Sequence, residues 1–168
     1  MTQINSQTQN GMALVVSLIM LLLMTLLTIS SMRTTILEEK IAGNYKDRNT
    51  AFQASEAGLR AGENYLRTTL VLPIFDGSTI GLYQPTTSGA ARWEIVDWTD
   101  ASEAVAYVGL ADVADQPNYI IEELQPVSES GGSLEVGTAL ENRFYRITSQ
   151  AVGGTATAVV MLQSTYKR

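Results

Sequence analysis

The sequence predicts an α+β protein in which a long N-terminal helix, spanning a membrane with its first half, packs on a small, mainly antiparallel β-sheet head. Three observations predict it. Residues Met12 to Met32 carry neither a charge nor a proline. Apolar residues then recur at steps of four and seven as far as Leu66. Beyond Pro73 the chain changes to short β-branched and aromatic runs punctuated by glycine.

Residues 1–11 are polar and read as a leader or tail rather than a core element. The uncharged stretch 12–32 would be roughly 31 Å long as a helix, which matches the hydrocarbon thickness of a bilayer. Eleven of its residues are Leu, Ile or Val. Insertion is therefore favourable by a few kcal/mol even with Ser17, Thr25, Thr28, Ser30 and Ser31 counted against it. From 33 to 70 the pattern is one-sided. Leu37, Ile41, Tyr45, Phe52, Leu59 and Leu66 form the expected packing face of an amphipathic stalk, and Glu39, Lys46, Asp47, Glu56 and Arg60 lie opposite. No proline precedes Pro73, so one helix can run from Met12 to Leu70, with Gly43-Asn44 the place to bend or loosen.

Residues 71–168 make the β-rich head. Strands are expected at Arg92–Trp98, Tyr119–Leu124, Asn142–Val152 and Thr155–Tyr166, the last two joined by a tight Gly153-Gly154 hairpin turn. Residues 101–118 are expected to form a short helix or a covering loop, and Ser128–Ser133 a turn.

Composition narrows function. Seventeen acids against eleven bases give a formal charge of -6, which opposes nucleic-acid binding. The chain has no Cys and no His, so thiol nucleophiles, Ser-His-Asp triads and the usual zinc sites are excluded, and no disulfide staples the head. No cofactor, metal or catalytic residue is expected. Glu56, Arg60 and Glu63 read as intrahelical pairing rather than an acid/base couple. Asp97, Asp100, Asp112, Asp115, Glu122 and Glu123 lack the ligand spacing of a calcium loop. Trp93, Trp98 and Tyr107 read as core first and as a partner patch second.

Two segments carry a family resemblance. Gly11 to Gly62 has Met32-Arg33 after the span, then Ala42-Gly43-Asn44, then Arg48 to Ala57 in the order RNTAFQASEA; the ending from Phe144 to Arg168 forms a closing hairpin. In these the chain resembles the PilX family of minor type IV pilins. The resemblance implies a prepilin cleaved between Gly11 and Met12 by a prepilin peptidase, with Met12 then N-methylated. It implies as partners other minor pilins, the major pilin and a tip adhesin. It also implies residence in the inner membrane, with the head periplasmic, before passage to the pilus on the cell surface. Charge alone argues the reverse, since residues 1–11 hold no Lys or Arg while Arg33, Lys40, Lys46 and Arg48 follow the span.

Most pilins carry Glu at the fifth residue after the cut, where it pairs with the N-terminal amine of the subunit ahead. The fifth residue here is Val16. A subunit with nothing ahead of it would bury that carboxylate unpaired, at about 3–5 kcal/mol by analogy with a broken buried ion pair. Val16 therefore points to priming of assembly at or near the filament tip, as in the similar K-type pseudopilin of type II secretion. The alternative is a bitopic, membrane-anchored periplasmic binding protein that never polymerises. A domain secreted after cleavage near Ser31 ranks last, because the span is long for a signal and lacks Ala-x-Ala.

Overall fold

The computed structural model describes residues 10–87, 89–125 and 143–168. Residues 1–9 of the leader expected over 1–11, the turn expected at Ser128–Ser133 and Asn142 lie outside them. Helix α1 covers Asn10–Thr68 in 59 residues. Two units meet within it, Met1–Gly43 and Asn44–Arg168. Helical structure runs through Gly43-Asn44, the place where the sequence allows a bend or loosening, and the division between units falls there.

In the second unit the order after α1 is β1 (Leu82–Tyr83), α2 (Arg92–Ile95), β2 (Val105–Ala106), β3 (Asn118–Glu123), β4 (Phe144–Val152) and β5 (Val159–Lys167). The sheet runs β1-β3-β4-β5, with β2 also on β3. Among the described residues only β1 is parallel to its neighbour, so the sheet is mainly antiparallel as expected. β3 and β4 are its centre and the most buried strands.

Alternation of side chains sorts the core onto two faces. Tyr119, Ile121, Tyr145 and Ile147 gather with Leu59, Leu66, Phe75 and Leu82 on the α1 side, where the Phe75 and Tyr145 rings lie 5.4 Å apart. Ile120, one residue out of phase, packs with Val96 and Ala104 on the other face, flanked by Tyr83, Trp93 and Trp98. Burying a side chain such as Leu66 contributes about 1.5–3 kcal/mol, so this double coverage is what holds a head without disulfides.

The helix approaches the sheet closely because its facing residues are small. Ser55 is buried and donates from Oγ to Ser149 O at 2.9 Å. A Cβ on Gly62 would sit 2.7 Å from Ile147 Cγ2 and 3.2 Å from Tyr119 Cδ2, and one on Gly58 would collide with Ser149 Oγ. The expected packing face therefore needs correction in part. Leu59 and Leu66 are in the core, but Phe52 and Tyr45 are exposed, as are Leu37 and Ile41 in the first unit. The face that meets the sheet centres on Ala51, Ser55, Gly58 and Gly62, roughly 60° round the helix from the heptad stripe. Bulk at Phe52 or Tyr45 would hold the two layers apart.

Two strand expectations also change. Arg92–Ile95 is one helical turn, closed by Glu94 Oε2 accepting from Ala91 N at 3.3 Å. Trp93 and Val96, three apart, thereby face Ile120 together, and over so few residues that spacing cannot be told from alternation. The β4–β5 connection spans 153–158 rather than two residues, and Val152 pairs with Val159 across it. Gly153 and Gly154 do not adopt positive φ.

Substituting Gly62→Val is expected to destabilise the head by about 1–3 kcal/mol through overpacking against Ile147 and Tyr119. Thermal unfolding of the detergent-solubilised full chain checks this, and an unchanged melting temperature would contradict the close approach.

Candidate assembly surfaces

In the first unit every residue from Met12 to Gly43 is exposed. Met12 is 68% and Val16 52% exposed, and Leu14, Val15, Leu18, Ile19 and their successors expose their side chains on all sides of the helix. Such a surface is unstable in water over this length, and α1 is long and apolar enough here to cross a bilayer. Three of its hydroxyls are already satisfied. Ser17 donates to Leu14 O at 2.9 Å, Thr25 to Leu22 O at 2.8 Å and Thr28 to Met24 O at 2.8 Å. Bonding back to the preceding turn removes the cost these groups would otherwise carry in hydrocarbon. Gly11 and Met12 stand in the first turn of α1, and Val16 one turn further on.

In the second unit, Asp47 joins α1 to the β4–β5 loop. Its Oδ1 accepts from Thr155 N at 3.0 Å and its Oδ2 from the Thr155 hydroxyl, which also lies 2.9 Å from Thr157 Oγ1. Gly153 is required beside it because a Cβ there would overlap Asp47, and Gly153 O accepts from Ala114 N at 2.7 Å. The sequence places Asp47 on the polar face of the stalk; the structure turns it onto its own head. That capture draws Thr155 and Thr157 out of the β ladder and lengthens the connection. The hydrogen bonds from the Thr155 hydroxyl and amide hold the Asp47 carboxyl below its ordinary value of 3.8.

On the sheet face away from α1 a charge is buried. Glu122 is fully enclosed, with Arg146 Nη1 3.7 Å from its Oε2, beyond hydrogen-bonding range. Burial pushes the carboxyl up, and the Arg146 and Arg92 guanidiniums oppose that shift. Arg92 also lies over the Tyr83 ring, 4.9 Å from its centre. The acids weighed as calcium ligands are thus put to separate uses. Asp97 accepts from Thr99 N and Asp100 from Ser102 N, each capping a turn, while Glu122 meets arginines. Among the described residues no group of three or more His, Cys, Asp or Glu could hold a metal ion.

The expected intrahelical pair is present between Arg60 and Glu56 at 3.1 Å, but Glu63 instead accepts from Ser164 Oγ on β5 at 3.0 Å. Trp98 Nε1 donates to Trp93 O at 3.0 Å within the second core cluster, whereas Tyr107 is exposed. Sequence reasoning passed over Ser55, Gly58 and Gly62. Their signal is the recurrence of small residues every three or four positions from Ala51 to Gly62.

Comparison with known families gives two matches. The family model described as PilX N-terminal matches residues 10–60, and that described as type IV pilus assembly protein PilX C-term matches residues 39–168. No curated protein and no solved structure matches the chain significantly.

Asp47→Asn is expected to lower the melting temperature at neutral pH, since the amide is a weaker acceptor for Thr155. A depressed carboxyl stabilises the fold above its unfolded value, and the benefit is lost as pH falls through the folded value. The gap between wild type and variant should therefore close below about pH 4. A gap that stays constant down to pH 2 in thermal melts would contradict the role of the ionised Asp47.

Proposed function

The chain belongs to the PilX family of type IV pilus assembly proteins, and from that premise we propose that this minor pilin primes filament assembly at or near the tip. The observation that carries the proposal is Val16. The junction Gly11-Met12 separates a polar segment from the apolar span, and cleavage there makes Met12 the first residue and Val16 the fifth. A carboxylate at the fifth position is an asset only where a neighbouring amine is present to neutralise it, because an isolated buried charge is costly. Valine removes that need, which suits a subunit with none of its kind ahead.

The apolar residues 12–32 then act twice. Before assembly they hold the subunit in the inner membrane with the head on the periplasmic side. In the filament the same residues pack against sister helices, and Ala13, Ser17, Thr25 and Thr28 allow close approach where lipid had been. The other minor pilins, the major pilin and a tip adhesin are the proposed neighbours. Prepilin peptidase is the proposed processing partner, and Gly11 offers it unobstructed backbone.

Two measurements test this reading. Mass spectrometry of the mature N-terminus is expected to find processing after Gly11 and a methylated Met12; an intact Met1 would support a plain membrane anchor instead. Val16→Glu is expected to reduce the number of pili started per cell several-fold while leaving membrane insertion unchanged. Normal piliation in that variant would sink the tip assignment.

A further inference from the structure

β5 is an edge strand of nine residues. Each of them, from Val159 to Lys167, is registered against β4, from Val152 back to Phe144, without a bulge. Among the described residues no strand pairs with its other side. Long edges expose a row of backbone donors and acceptors that invites another strand, and folds usually blunt them with proline, a bulge or inward charges. β5 has no proline and no inward charge, and its one charged residue, Lys167, stands at the end.

Side-chain burial marks the same edge as incomplete. On β4 the residues facing α1, namely Tyr145, Ile147 and Ala151, are 1%, 0% and 3% exposed. Their partners on β5, Tyr166, Ser164 and Val160, are only half-buried, as is Leu162. One more strand beside β5 would complete the apolar layer.

We propose that the open edge of β5 is a strand-addition site for an extended segment of another pilus subunit. This rests on the assembly role proposed above. The segment has apolar residues at alternate positions, where they cover Val160, Leu162 and Tyr166, and an acidic residue at the end beside Lys167. A second copy of this chain fits less well. Two edges of the same kind pair antiparallel about a two-fold axis, which sends the Asn44 ends of the two heads to opposite ends of the joined sheet. Subunits anchored through residues 12–32 enter their heads from one side of one membrane.

The test uses the full-length chain in piliated cells, with the photo-reactive residue p-benzoylphenylalanine replacing Met161, Gln163 or Thr165 one at a time. These three lie on the sheet face away from α1, two residues apart. Mass spectrometry of the adducts is expected to place them on one segment of another pilus subunit, advancing by two residues for each step of the probe. Steps of three or four, adducts on a second copy of this chain, or no adduct in normally piliated cells would overturn the proposal. Leu162→Lys puts a charge on the inward side of the edge and is expected to cut the adduct from position 161 at least ten-fold. An unchanged yield, in a variant whose melting temperature stays within a few degrees of wild type, would overturn it as well. Deletion of the chain separates the two readings: pili unaffected by deletion refute the assembly role, whereas pili lost on deletion but no strand-like adducts refute only the edge.

Discussion

Everything in this molecule depends on a helix that has to satisfy two unlike surroundings. Over residues 12–32 it presents hydrocarbon on every side and bonds the hydroxyls of Ser17, Thr25 and Thr28 to its own backbone. Over residues 51–66 it presents one narrow face of small residues to a sheet. Neither stretch could take the other's place. An all-apolar helix would leave the head with no soluble surface, and a face of serine and glycine would give lipid nothing to hold. The division of the chain at Gly43 and Asn44 is the point where one requirement gives way to the other.

The head answers a second constraint, that of building a stable core from a short chain without disulfides. It does so by covering β3 and β4 on both faces, with α1 on one and the segment around Trp93, Val96 and Trp98 on the other. Polar groups tie the layers to one another. Ser55 ties α1 to β4, Asp47 ties it to the β4–β5 loop, and the Arg168 side chain donates to Thr69 O and Leu70 O just past the helix end. The ends of the chain's last strand and of its long helix are thereby fastened together. β5 gains least from this arrangement, which is why its outer edge and half-buried side chains stand apart from the rest of the sheet.

The helix, the sheet type and the three long strands were legible because each rests on a periodic pattern many residues long. What escaped reading lay in short segments and in side-chain volume. The four residues Arg92–Ile95 satisfy either period, and only their packing on Ile120 decides between them. The Gly153-Gly154 pair carries a genuine turn signal, but the demand for glycine at 153 comes from Asp47, more than a hundred residues away in sequence. Phe52 was misplaced for a related reason. Hydrophobicity ranks it above Ser55 and Gly58 as a core residue, whereas the separation of helix and sheet is set by what is small enough to fit. The apolar span needed no tertiary information, and Val16 could be picked out from its distance to Gly11 alone.

The central claim is that residues 12–32 live in hydrocarbon. Alkaline carbonate extraction of cell membranes tests it most directly, because it strips peripheral proteins and leaves integral ones in the bilayer. The full-length chain should remain quantitatively in the membrane pellet. Its release into the supernatant would contradict the account.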